Sequence, residues 1–398
     1  MPGLSVLSTR FLRHNRPTQG FRMFRSTALS VALIPVLAWQ LRAQEVVDKD
    51  IKDLALVLTV TYDNLQRGTD ADALKKLLDT TKESHRGTPY RLLEHLAARP
   101  DSKQAVLGTP VPKPDNLFRL AVLHPSEPKV AFVCDQGVVV VQDLSEADAK
   151  PVSVVTSRAK PLAYGSFSGD GKYFAVGDTG GGIVIWDTQS WKETKVITKG
   201  TGIIRYVGLD KTGEKLIAET ESGLILWNLA GDAEIGVVGE RYLFGASFCF
   251  SDDQRHFATG GNGSVVIHDA GTGKKVREIS HGTHTMQLCF SSDGQLIASG
   301  LRGVPINRYL GVFDVATGKT IFDHAEHGKG VTGVVFLDDN KCVLSTAADG
   351  TLRFWHVPSG TELLRMQMSE SIYQPSCHVT GSTILWNQRS GPRYLKFK

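Results

Sequence analysis

From residue 117 onward the chain repeats one hydropathy pattern. A short apolar run closes on Phe-Ser or a similar pair, a turn of Asp and Gly follows, and a second apolar run begins. Phe167-Ser168-Gly169-Asp170-Gly171 leads into Tyr173-Phe174-Ala175-Val176, and Phe290-Ser291-Ser292-Asp293-Gly294 into Leu296-Ile297-Ala298-Ser299. A third run ends on a bulky residue and a polar one, followed by a turn such as Ala316-Thr317-Gly318-Lys319 or Pro358-Ser359-Gly360. Runs this short, bounded by residues that accept positive φ, read as strands joined by hairpins. The third runs end at Asp143, Asp187, Asn228, Asp269, Asp314, His356 and Asn387, in steps of 44, 41, 41, 45, 42 and 31 residues. A period of about 40–45 residues with four strands per unit is the signature of propeller blades. Trp186, Trp227, Trp355 and Trp386 share one slot and Phe313 takes it in another unit, which marks a packing requirement between stacked sheets.

These repeats resemble the WD-repeat β-propeller family over about residues 117–398. The best match is the unit 331–370, where His327-Gly328 precedes a Val-Thr-Gly-Val-Val-Phe strand and Asp349-Gly350-Thr351 leads into Phe354-Trp355. In that family a His, a Ser or Thr, an Asp and the Trp form a hydrogen-bonded tetrad inside a blade. The resemblance carries over to His327, Asp349 and Trp355. Gly180, Glu221, Asn262 and Asn307 stand where Asp349 does in other units, so the repeats are degenerate. Six full units start near 117, 163, 203, 242, 284 and 331, with a short seventh from 371. A propeller must close on itself to leave no unpaired edge, so the extended stretch 104–112 is expected to lend the last unit its missing strand. The fold class expected is all-β: a seven-bladed WD-repeat-like β-propeller, six blades being the alternative, preceded by a signal peptide and a small helical segment.

Residues 45–103 carry helical spacing instead. Ile51, Leu54, Ala55, Leu58 and Tyr62 lie on one face, Leu74, Leu77 and Leu78 repeat the pattern, and Pro89–Arg99 fits a third helix. The segment reads as an appendage packing on the main domain, or as a docking helix. Residues 104–116, with Pro110, Pro112 and Pro114, read as an extended linker. Residues 1–44 hold six Arg and no Lys, Asp or Glu, with an apolar run from Ala28 to Trp39 behind Met23, which is itself a candidate start. That is the build of a secretory signal peptide; an uncleaved membrane anchor and a mitochondrial transit peptide are the competing readings. Without the leader the chain has 39 basic and 41 acidic residues, so bulk charge predicts no nucleic-acid partner.

No phosphate loop, nucleophile elbow or dinucleotide fingerprint occurs. The five Cys fall in or beside predicted strands and read as buried thiols. Two clusters stand out. His281, His284, His324 and His327 lie in equivalent connections of adjacent units and could hold zinc or copper; against this, one His per loop is a structural tetrad member. Arg302, Asn307, Arg308 and Tyr309 occupy a lengthened loop, and Arg and Tyr are favoured interface anchors. The expected function is therefore a non-catalytic, exported propeller, secreted or periplasmic, that binds a protein or peptide. No cofactor is expected, and membrane contact only through an uncleaved leader. A metal-binding or enzymatic propeller using the His cluster is the alternative.

Overall fold

The computed structural model describes residues 49–98, 109–111 and 118–396, less 64, 67–70, 135–136, 146–149, 159, 199–201, 240–246, 303–308, 325 and 374–377. The expected leader lies outside the described residues, as do Asn307 and Arg308. Strands β2 (Phe118–Leu123), β3 (Lys129–Cys134), β4 (Val138–Asp143) and β5 (Val152–Val155) form an antiparallel sheet in chain order. The same meander recurs in β6–β9 over 162–197, β10–β13 over 207–239 and β21–β24 over 331–367. Between them β14–β20 form one seven-stranded sheet, because the 16-residue strand β17 (Lys275–Phe290) serves two meanders. Its first half pairs with β16 (Asn262–Asp269) and its second with β18 (Leu296–Leu301). The protein is an all-β, propeller-like fold of such sheets with few helices.

The second strand of each meander has both faces covered by neighbouring sheets. Every residue of β22 (Cys342–Ala347) is buried, and such strands read as continuous apolar runs, not alternating ones. Outer strands face solvent on one side, so β9 (Lys192–Ile197) alternates exposed and half-buried residues.

The last sheet is assembled from both ends of the described chain. β25 (His378–Thr380), β26 (Thr383–Gln388) and β27 (Gly391–Lys396) are followed by β1 (Thr109–Pro110), with Thr109 opposite Tyr394 and Pro110 opposite Arg393. Proline cannot donate to a ladder and is tolerated at an edge. This arrangement corrects one alignment made from sequence. Trp186, Trp227 and Trp355 sit on third strands, but Trp386 sits on a second strand. The third strand of this sheet ends at Lys396, 40 residues beyond His356, which restores the period that the step of 31 had broken.

Helices α1 (49–63), α2 (Ala71–Leu78) and α3 (Thr88–Ala97) are seated on the last two sheets. Leu58, Leu74, Leu92 and Leu96 share one buried core with Phe354, Met366, Ile384 and Trp386. Tyr62 covers the edge of β24 (Glu362–Gln367): the Gln367 N–H donates to the phenol oxygen at 2.9 Å. The cap of α3 comes from outside the helix. Gly87 stands at the N-cap and has no side chain to offer, while the Asp338 carboxylate accepts from the Thr88 N–H at 2.7 Å and the Thr88 hydroxyl at 2.6 Å. A Cβ at Gly87 would lie 2.7 Å from Asp338 Oδ2, so the glycine makes room for the borrowed cap. Arg91 adds an ion pair to the same carboxylate at 3.1 Å.

Asp338→Ala should therefore lower stability by about 1–2 kcal/mol, the usual loss for a helix cap, and open the helical segment to proteolysis. Asp338→Asn should retain most of the cap. Equal melting temperatures for Asp338→Ala and the parent would contradict the assignment.

Candidate functional site

The most fully bonded polar cluster lies in the sheet β21–β24. His327 Nε2 pairs with Ser345 Oγ at 2.8 Å, Trp355 Nε1 donates to the same oxygen at 2.8 Å, and His327 Nδ1 faces Asp349 Oδ2 at 3.2 Å. The Gly328 N–H donates to Asp349 Oδ2, and the Thr351 N–H and hydroxyl donate to its Oδ1, at 2.9, 2.9 and 2.7 Å. His324 stacks on Trp355 with ring centroids 4.7 Å apart. Burial lowers the His327 pKa and favours the neutral ring. Asp349 is held well below the usual carboxylate range: desolvation opposes this, but the hydrogen bonds from His327 and Thr351 outweigh it. Sequence reasoning placed His327, Asp349 and Trp355 here and missed Ser345, a small residue inside an apolar run that only strand pairing brings to the indole.

Three other units keep a buried indole without the network. Trp186, Trp227 and Trp386 are buried, yet none of their Nε1 atoms has a hydrogen-bond partner; Phe313 fills its slot with no donor at all and is also buried. In the second meander an Arg158–Asp178 ion pair does the work of the His–Asp pair. The Asp178 carboxylate also accepts from the Gly180 and Gly182 N–H groups at 2.7 and 2.8 Å.

The four histidines proposed as metal ligands are spread over separate contacts. His281 pairs with Thr285 at 3.0 Å, His284 with Asn262 at 2.6 Å, His324 Nε2 with the Gly360 carbonyl at 2.6 Å, and His327 belongs to the tetrad. Among the described residues no group of three or more His, Cys, Asp or Glu is placed to hold a metal ion. In the lengthened loop, Arg302 is half-buried and its N–H donates to the His284 carbonyl at 2.9 Å. Tyr309 packs against the core around Trp355, so it supports the loop more than it projects from it. Cys134, Cys249, Cys289 and Cys342 are free thiols, and burial pushes Cys289 up to about 11.

The innermost strands enclose a cavity of about 250 Å³ on the axis, lined by Tyr164, Tyr206, Phe248, Phe250, Gln287 and His378 among others. Tyr164 and Tyr206 stack with centroids 4.4 Å apart. His378 Nε2 is buried without a hydrogen-bond partner, and desolvation pulls this imidazole down to about 4.

The tetrad unit coincides with a match to the family model described as WD domain, G-beta repeat, over residues 318–356. This repeat and the fold around it resemble the WD-repeat β-propeller family. Solved WD-repeat structures share its fold: one chain of a mitotic checkpoint complex superposes with a TM-score of 0.62 at 17% identity, covering 73% of this chain and 92% of that one. The Cps50 (Swd1) β-propeller domain of Myceliophteria thermophila gives 0.57 at 13% identity, covering 73% and 99%. Among curated relatives, telomerase protein component 1 of Rattus norvegicus is 28% identical over half of this chain and 7% of its own length. The U3 small nucleolar RNA-associated protein 15 homolog of Xenopus tropicalis is 25% identical over 48% of this chain and 38% of its own. This chain thus spans well under half of either relative.

Those names correct two expectations. A telomerase component and a small-nucleolar-RNA-associated protein point away from a secreted or periplasmic location, and they overturn the exclusion of nucleic acid from the partners. The physical reasons are plain. Net charge describes bulk attraction to phosphate and is silent on assemblies built through protein contacts, and an Arg-rich, acid-free segment is not peculiar to export. No helix among the described residues is long and apolar enough to cross a membrane.

Two measurements follow. Trp355→Phe breaks a satisfied bond and leaves Ser345 Oγ with His327 alone, whereas Trp186→Phe removes an N–H that has no partner; the first should cost about 1–2 kcal/mol more than the second. Equal losses would contradict the tetrad geometry. The folded-state pKa of His378 lies below its unfolded value of about 6.5, so its contribution is complete above that pH and is lost as pH falls toward 4. His327 acts in the same direction. The melting temperature should drop across this window, and less in His378→Gln; an identical slope in that variant would contradict the buried neutral ring.

Proposed function

We propose that the protein is a non-catalytic WD-repeat scaffold, a seven-bladed propeller closed by β1, which holds together a multicomponent assembly that includes RNA. The observation that carries this reading is the use of its polar side chains. The histidines, acids and serines that would attract a catalytic interpretation are spent on tetrad, turn and cap hydrogen bonds, which leaves the loops at the two ends of a rigid body as the working surface. The names of the matched relatives support RNA as a component of the assembly. The lengthened loop from Arg302 to Tyr309 is the contact we favour at its end of the propeller, with Arg302 and Arg308 as anchors.

The test is recovery of the full chain, tagged at its C-terminus, from its native cells, with and without ribonuclease. A defined set of proteins should co-purify, RNA should be recovered with them, and Arg302→Glu/Arg308→Glu should lose part of the set. Elution of the protein alone, at the size of one chain, would overturn the proposal.

A further inference from the structure

The turn after each third strand is an internal control, because the same backbone is built repeatedly. Asp269, Asp314 and His356 open three such turns, in which the N–H of Gly273, Gly318 and Gly360 donates back to the first residue's carbonyl, each at 2.8 Å. Those glycines have φ of 72°, 75° and 69°. In the second meander Asp187 opens the same turn, the Trp191 N–H donates to its carbonyl at 2.8 Å, and Trp191 adopts φ 51°. A tryptophan thus holds the left-handed slot that glycine fills in those three turns and Asp232, φ 49°, fills in the third meander, a conformation disfavoured for any L side chain. Strain of this kind persists where the side chain is needed.

The indole is only partly buried. Its inner face packs on Phe167 and Phe174, with centroids 6.4 and 6.0 Å away. It also lines a groove of about 590 Å³ between the first two meanders, floored by His124 and rimmed by Asp143, Asp187, Lys150 and Val152. Two further acids in the groove are already neutralised, Glu127 by Lys129 and Asp170 by Lys172. Ser145 and Ser190 hydrogen bonds hold both Asp143 and Asp187 ionised, and Asp143 also feels Lys129 and Lys396 at longer range. The groove's lining carries four carboxylates against three lysines, with Lys396 acting on Asp143 from outside it, and Val152 is 56% exposed beside it.

We propose that this groove docks an arginine-bearing segment of a protein partner. The guanidinium would stack on Trp191 and meet Asp143 and Asp187, a planar cation on an indole with carboxylates at its edge. The acid majority disfavours a phosphate backbone here. The groove opens at the end of the propeller opposite the Arg302 loop, since the two sets of turns alternate along every meander. The inference adds a second surface to the scaffold reading, and it is tested on purified protein so that its failure is separable from failure of the pull-down.

The probe is a fluorescein-labelled peptide of glycine and serine carrying two arginines, followed by anisotropy; oligouridylate is the second arm. Trp191→Gly installs the turn residue of three sister turns, so the fold should survive, with binding weakened about tenfold. Asp143→Asn/Asp187→Asn keeps both turn acceptors and should weaken binding similarly, and Trp191→Tyr should recover part of it. Unchanged peptide affinity in either the Gly or the double Asn variant would overturn the proposal. So would oligouridylate binding more tightly than the peptide and being lost in Trp191→Gly.

Discussion

A four-stranded sheet with apolar residues on both faces cannot stand in water until each face is covered. Radial packing solves this by giving every sheet two neighbours, and the rest of the molecule follows from that requirement. It makes the second strands continuous apolar runs, it puts an indole or a phenyl ring in the wedge between sheets, and it forbids an open end. The helices extend the same principle outward: with Tyr62 against Gln367 and Leu58 beside Phe354, they cover an apolar flank that the sheets leave bare.

Within this frame the polar residues divide by what they replace. One unit has the full His-Ser-Asp-Trp network, the second meander substitutes an arginine for the histidine, and three units, the second meander among them, keep a buried indole with its N–H unmet. Packing of the ring is therefore the common requirement, and the hydrogen bonds are added unit by unit. This explains why repeats so degenerate still build equivalent sheets: shape and burial are preserved where the bonding pattern is not.

Much of this was legible from spacing. Periodicity located the strands, and His327, Asp349 and Trp355 could be placed because the tetrad has fixed offsets within a unit. What escaped depended on contacts between distant residues. Ser345 joins the tetrad only through cross-strand register, and Asp338 caps a helix that begins 250 residues earlier in the chain. Trp386 was misassigned because an Ile-Leu-Trp-polar string on a second strand looks the same as one on a third; the shortened step of 31 was the available signal. Trp191 carries no signal in spacing or composition, because its strain is visible only in its φ.

The pairing of Thr109 with Tyr394 has a temporal side. During synthesis the strand at 109–110 leaves the ribosome long before its partner exists, and every sheet between them forms while the ring is still open. Closure waits for β27 and must span nearly the whole domain in one step, the kind of long-range pairing that is slow to form. Until then the nascent propeller presents one naked face at each side of the gap, which makes the interval before this pairing the period when it most needs a chaperone.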